Sequence, residues 1–382
     1  MDTTNITEKE FEDAVERLLI SKGGYKSAKP ADYNKKKALF FDTLINFIQT
    51  TQEQQWNSFV KAYDSRAEQE LFSIFDKATR EKGILHVLKN GIRAIDATFK
   101  VCFFKVHNPH NTSADERYKL NQWHVVRQFA YSEYNHKTVD VVLTLNGIPL
   151  IAIELKNHST GQTIENAINQ WKEDRDCNET VFQFNRRILA FFAVDPCEAA
   201  ITTKLEGANT FFIPYNQGSN GAGAVGGKGN PQAPDDKFMV HYLWEEVLQT
   251  DKLLEIIDNY VTLETTGTKS DKAGKSSSSK MNKLANKRLI FPRYHQLDVV
   301  RKLLSHSEEH GAGHNYLIMH SAGSGKSNSI AWLAHQLTRV FDKKGEPLFN
   351  NILVVTDRRV LNNQLGATVN KQSDVRGVVS LI

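Results

Sequence analysis

An α/β fold in two successive parts is predicted, and three features of the 382-residue sequence predict it. One is a pair of apolar β runs within Thr138 to Asn157, joined at Asn146-Gly147, a dipeptide that tolerates the positive φ angles of a tight hairpin. Another is the set of amphipathic helical patterns before and after this pair, which would cover one sheet with helices. The last is a strand, glycine loop and helix pattern running from Tyr316 through HSAGSGKSNSIAWLA. Between the parts, Thr265 to Asn286 is rich in Ser, Lys, Gly and Thr and nearly free of large apolar residues, the composition of a linker. The expected organisation is a domain over 1–262, a linker over 263–287 and a second α/β unit over 288–382.

In chain order, Thr7 to Glu10 (TEKE) is a capping box, and Phe11, Ala14, Val15, Leu18 and Leu19 follow at helical spacing up to Gly23-Gly24. This is expected to be a packing helix without chemistry. Ala38 to Gln52 and Arg66 to Leu88 are also helical in period. Strands are expected over Thr98 to Val106 and Trp123 to Ser132, from their β-branched and aromatic content. A helix carrying Ile164, Ala167, Ile168 and Trp171 follows the hairpin, and then buried strands at Ile188 to Val194 and Thr210 to Ile213. Gln217 to Asn230 holds six glycines but no Gly-Lys-Ser/Thr, so 217–230 is expected to be a loop rather than a phosphate cradle. Phe238 to Tyr260 and Pro292 to Leu304 are expected as helices, Tyr316 to His320 and Asn351 to Thr356 as strands.

Composition excludes several classes. The net charge is only +4, with 24% charged residues, so any basic footprint for nucleic acid must be local. Cys102, Cys177 and Cys197 have unrelated spacings that make neither a disulfide framework nor a zinc set, which favours a reducing cytosol. No apolar run reaches membrane-spanning length and no signal-peptide core is present.

The chemistry-bearing residues of the first part are Asp140, at the start of one apolar strand, and Glu154 and Lys156, at the end of the next. Side chains alternate along a strand, so Glu154 and Lys156 share a face. Two carboxylates and an amine there can hold a hard cation and steady an anionic reaction centre. The register imposes a condition. A regular two-residue loop would set Glu154 opposite Val139, and the acids would face opposite sides of the sheet. One extra residue is therefore expected, in a three-residue loop with a bulge or in a bulge near Asp140. In the second part, Gly323 and Gly325 would let backbone N–H groups approach phosphate oxygens, with Ser324 between them. Lys326 would pair with β/γ-phosphates and the Ser327 hydroxyl would reach Mg²⁺. His320 stands where the strict pattern has glycine, so the match is to a variant.

Together these motifs resemble the motor-nuclease subunit of type I restriction enzymes. DVVLTLNGIPLIAIELKN looks like that family's form of the PD-(D/E)xK nuclease core, with Val139 in place of the Pro. The resemblance implies a mixed sheet with flanking helices, Mg²⁺ on Asp140 and Glu154, and Lys156 orienting or activating water. It also implies a Gln-xxx-Tyr element on the next helix, where Gln170 is present but Asp174 replaces the Tyr. Tyr294-His295-Gln296 resembles the adenine-reading glutamine motif of superfamily 2 helicases, with Gln296 as the reader. AGSGKS resembles motif I, and VVTDRRVLNNQ the DNA-contacting motif Ia, with Arg358 and Arg359. These imply the beginning of a RecA-like P-loop motor lobe that binds ATP. No Asp-Glu-x-His/Asp motif follows in the sequence, so efficient ATP hydrolysis by this chain alone is not expected. The implied partners are double-stranded DNA and methyltransferase and specificity subunits, in bacterial or archaeal cytoplasm.

Overall fold

The computed structural model describes residues 6–94, 97–106, 112–157, 161–265, 287–342 and 344–356. Arg358 and Arg359 lie outside the described residues. Helix α1 (Glu8–Ser21) starts at the capping box, where the Thr7 hydroxyl accepts the Glu10 N–H at 3.3 Å and the Glu10 carboxylate accepts the Thr7 N–H at 2.7 Å. After the short strand β1 (Lys26–Ser27) come α2 (Phe41–Thr51), α3 (Glu53–Tyr63), α4 (Ala67–Lys82) and α5 (Ile84–Asn90). The helix expected over 66–88 is thus two helices. Gly83, at φ +88°, breaks it, and a Cβ there would meet the Asn185 amide nitrogen at 2.0 Å. The strand expected over 98–106 is reduced to a small hairpin of β2 (Ile92–Ala94) and β3 (Ala97–Phe99), followed by α6 (Thr112–Tyr118).

Among the described residues, seven strands form the central sheet: β1, β4 (Trp123–Ala130), β5 (Thr138–Leu145), β6 (Ile148–Leu155), β7 (Ala190–Val194), β8 (Ala199–Thr202) and β9 (Ile213–Pro214), in that order. The sheet is mixed. β6 and β7 run parallel, joined by α7 (Ile164–Asn169), whereas β4, β5 and β6 are antiparallel. All eight residues of β6 are buried because both sheet faces are covered. One core contains Val141, Leu143, Ile151 and Ile153 with Phe47 and Leu88; the other contains Val142 and Ala152 with Trp171, Phe182 and Phe191.

The β5–β6 register decides what the hairpin can do. Asn146 and Gly147 adopt φ +49° and +82°, so the tight turn is retained and Leu145 pairs with Ile148. Thr144 pairs with Pro149, but Leu143 then pairs with Ile151, leaving Leu150 as an extra residue. Pro149 has no N–H for the ladder, and the Leu150 carbonyl instead accepts the Leu189 N–H at 2.8 Å. Val142 and Val141 next pair with Ala152 and Ile153, so counting on sets Asp140 across from Glu154. The expected extra residue is present, but in β6 near the turn rather than in a longer loop or beside Asp140.

Helix α8 (Thr250–Asn259) precedes β10 (Thr262–Thr265), which pairs antiparallel with β11 (Lys287–Ile290). Then follow α9 (Tyr294–His310) and α10 (Lys326–Leu337). Phe238 to Tyr260 is not one helix: a π-helical turn at Leu243–Val247 ends before α8, whose Thr250 N–H is drawn to the Gly23 carbonyl at 2.9 Å. Two further expectations fail. Tyr316 to His320 and Asn351 to Thr356 form no strands, and their apolar side chains stand in solvent, Leu317 at 94% and Val355 at 81% exposure. Strand propensity needs a ladder partner to act on, and among the described residues none lies beside either segment.

Candidate active site

The bulge brings Asp140 and Glu154 to one end of the sheet, where Asp140 is 7% exposed and Glu154 fully buried. Asp140 Oδ2 accepts the Leu155 N–H at 2.8 Å, which orients the carboxylate across the two strands. Lys156 follows the last residue of β6, and its N–H donates to the Val194 carbonyl at 2.9 Å, continuing the parallel ladder. Its ammonium donates to Glu8 at 2.7 Å.

Helix α1, expected only to pack, supplies acids to this centre. Ligand oxygens of Glu8, Glu12 and Asp140 all lie within 4.8 Å of one another. Glu12 is further held by Arg127 at 3.0 Å and by the Gln128 amide. A signal for this was present in the sequence: residues 8, 12, 15 and 19 follow one helical stripe, so the two acids extend the buried apolar face of Val15 and Leu19. Nothing local says that the stripe ends over a carboxylate from another element.

Glu154 has a different partner. Arg175 Nε donates to its Oε1 at 2.7 Å, and the same guanidinium caps the Thr138 carbonyl at 2.7 Å. Arg175 comes from just past a π-helical turn at Gln170–Asp174 that continues α7. Gln170 is half-buried, Trp171 is core with its indole N–H on the Phe192 carbonyl at 2.9 Å, and Asp174 pairs outward with Lys137 at 2.8 Å. The residue of this segment that reaches the acids is therefore Arg175. Its spacing from Glu154 carried no signal in the sequence.

The charges are strained in a consistent direction. Burial lifts the Glu154 carboxyl well above its usual range, Asp140 nearby adds to the rise, and Arg175 opposes it. Asp140 is also raised, mainly by burial, against the Leu155 N–H and the Lys156 ammonium. Glu12 is raised by burial, with Arg127 and Gln128 opposing. Glu154 Oε2 is buried without a hydrogen-bond partner. Two adjacent carboxylates can satisfy each other only if a proton or a cation lies between them. The oxygens of Glu8, Glu12 and Asp140 are the group close enough together to suit one divalent cation of the Mg²⁺ type, whereas Glu154, expected as a ligand beside Asp140, is paired with Arg175 and is not in that group.

The glycine loop is a second candidate site. Gly323 and Gly325 adopt φ +76° and +83°, and α10 begins at Lys326, so its N-terminal N–H groups open toward the loop. The Lys326 ammonium folds back on the His320 and Ser321 carbonyls at 3.0 and 2.9 Å. Gln296 reaches across from the first turn of α9 and donates to the Ser324 and Gly325 carbonyls at 3.2 and 2.9 Å. Ser327 is exposed, and the buried Ser324 hydroxyl has no partner. A cleft of about 530 Å³ opens beside Gln296 and Ser324, with Phe184 and Thr203 on its far wall, a volume suited to a small organic ligand.

The family model for the type I restriction enzyme R protein N terminus matches residues 5–210, more than half of the sequence and the whole of the sheet from β1 to β8. The chain belongs to this type I restriction enzyme family. The SWI2/SNF2 ATPase model matches residues 295–379, which begin at His295 beside Gln296 and include the glycine loop. A similar protein is the putative type I restriction enzyme MjaVIIIP endonuclease subunit of Methanocaldococcus jannaschii, 24% identical over 239 residues, covering 59% of this chain. The matched region is only 19% of that relative's length. In this restriction-family chain, then, the carboxylate cluster lies within the R-protein match and the glycine loop within the ATPase match. No helix among its described residues is long and apolar enough to cross a membrane.

Proposed function

We propose that this chain carries the nuclease centre and a nucleotide site of a type I restriction motor subunit, hydrolysing phosphodiester bonds of double-stranded DNA. The observation that carries the reading is the bulge at Leu150, because without it Asp140 and Glu154 would lie on opposite faces of the sheet. On this reading the mixed sheet is of the PD-(D/E)xK type and the chain from Arg288 begins a RecA-like lobe. Asp140, joined by Glu8 and Glu12 and adjoined by Glu154, would hold Mg²⁺, which when bound polarises the phosphate and lowers the pKa of a water. Arg175 offsets the Glu154 charge and keeps that carboxylate aimed between the strands. Lys156 exchanges Glu8 for a phosphate oxygen and stabilises the charge that builds there during attack. At the glycine loop, Lys326 leaves the His320 and Ser321 carbonyls for the β/γ-phosphates of ATP, the loop N–H groups of Gly323 to Gly325 cradle them, and Ser327 faces the accompanying Mg²⁺. Gln296 joins the loop to the adenine side of the cleft. Gln170, Arg358 and Arg359 are assigned to DNA backbone contact, and sequence recognition to methyltransferase and specificity subunits.

The test is plasmid cleavage by the assembled restriction complex carrying Asp140→Ala, Glu154→Ala or Lys156→Ala. Each should lose at least ~100-fold in cutting while ATPase activity persists. Unchanged cutting in all three, with ATPase retained, would leave a translocation module whose N-terminal domain is silent. Cleavage by this chain without methyltransferase partners in any copurified complex would instead mark a repair nuclease-helicase.

A further inference from the structure

Resting on the nuclease reading, we infer that Gln128 is a positioning residue for the carboxylate centre, holding Glu12 where it can share a divalent cation with Asp140. Gln128 lies within β4 at φ +46°, a left-handed conformation that a non-glycine residue in a strand adopts only under constraint. It stands between two register pairs, Arg127 with Val141 and Phe129 with Val139, and is therefore level with Asp140 on β5. The distortion changes which way the strand faces. Val126 and Phe129 are three apart and would lie on opposite faces of a regular strand, yet both pack in the core that contains Val142 and Trp171. The alternation is thus reset at Gln128. As a result two consecutive side chains, Arg127 and Gln128, both reach Glu12 of α1.

The Gln128 amide is held at both ends. Its Nε2 donates to Glu12 Oε1 and Oε2 at 3.1 and 3.0 Å, spanning the carboxylate. Its Oε1 accepts the Thr138 hydroxyl at 2.8 Å, which keeps the N–H groups turned toward Glu12. The Thr138 carbonyl in turn accepts from the Arg175 guanidinium that holds Glu154. The supports of Glu12 and Glu154 are therefore joined through one residue at the start of β5. Gln128 is itself exposed, so burial of its own side chain does not require the strained backbone. A neutral amide also suits the position. Like Arg127 it donates to Glu12, but it brings no positive charge to repel a cation shared by Glu8, Glu12 and Asp140. Groups that orient a ligand from behind in this way set metal affinity without touching the ion.

The experiment is titration of the whole chain with Mn²⁺, a paramagnetic stand-in for Mg²⁺ followed by electron paramagnetic resonance, alongside urea unfolding in chelator. Asp140→Ala identifies the equivalent bound at the acids. Gln128→Gly should weaken that equivalent at least ~10-fold, while the urea midpoint in chelator holds or rises because glycine relieves φ +46°. Thr138→Val should weaken it by less, since the amide remains but is free to turn. Affinity lost without loss of stability separates a positioning role from a structural one. Equal Mn²⁺ affinity in wild type and Gln128→Gly, or a loss matched by a lower urea midpoint, overturns the role of Gln128 alone. Absence of any Asp140-dependent Mn²⁺ binding by wild type removes the nuclease reading, and this role with it.

Discussion

Replacing Asp140 by Asn should make the metal-free protein more stable while removing its response to Mg²⁺. Asn can still accept the Leu155 N–H that Asp140 accepts at 2.8 Å, so the hairpin keeps that bond. What disappears is one negative charge among neighbours whose oxygens lie within 4.8 Å. At an effective dielectric near 20, two unit charges at that separation repel by about 3 kcal/mol. Lys156 and partial protonation offset part of this, so a gain of about 1–2 kcal/mol is expected, or roughly 2–6 °C in Tm for a domain of this size. The sign follows from the raised Asp140 carboxyl. Its proton stabilises the fold fully below the unfolded-state value, and that contribution is lost as pH rises through the folded-state value. Wild type and Asp140→Asn should therefore converge in acid and diverge progressively toward alkaline pH. Thermal unfolding in chelator at several pH values, then in Mg²⁺, measures both halves. A variant less stable than wild type in alkaline chelator, or one stabilised by Mg²⁺ as much as wild type, would refute the charge-cluster account.

Other perturbations address the remaining parts. Arg175→Ala should destabilise the domain by about 3–5 kcal/mol in urea unfolding, because it leaves the Glu154 carboxylate buried without a counter-charge. Adding Glu154→Gln to it should recover a good part of that loss. Gly325→Ala forces a side chain onto φ +83° and places its Cβ 2.4 Å from Gln296 Nε2, so ATP-analogue affinity should fall at least ~10-fold by titration while the melting of the sheet domain stays unchanged. Gly147→Ala meets the Phe40 carbonyl oxygen at 2.3 Å at φ +82°, and because that neighbour is backbone the cost should be about 2–4 kcal/mol in chemical denaturation.

The hairpin could be read from its residues because its signals are local. Asn146-Gly147 sets the turn, and the apolar runs to either side can only be strands buried on both faces. Even the need for an extra residue followed from counting between Asp140 and Glu154. Its location did not, since Pro149 acts through a missing ladder bond that involves a third strand. Glu8, Glu12 and Arg175 were hidden for the same reason: each reaches the acids only after α1 and the turn beyond α7 have packed on the sheet. Gly83 shows the converse, where a helical period ran across a residue whose conformation is set by Asn185. At Tyr316 and Asn351 the apolar pattern was strand-like, but a strand is made by its neighbour.

The β10–β11 ladder has a practical corollary. Thr265 and Lys287 are partners in it, so the two ends of the intervening stretch are stapled at about one strand spacing, ~5 Å, whatever its length. For a linker, which the Ser-, Lys- and Gly-rich composition there predicts, doubling the length costs only ~0.6 kcal/mol of closure entropy. A reporter domain or affinity tag spliced between these two residues would thus hang from the protein like a charm from a clasp, leaving the strands that hold it undisturbed.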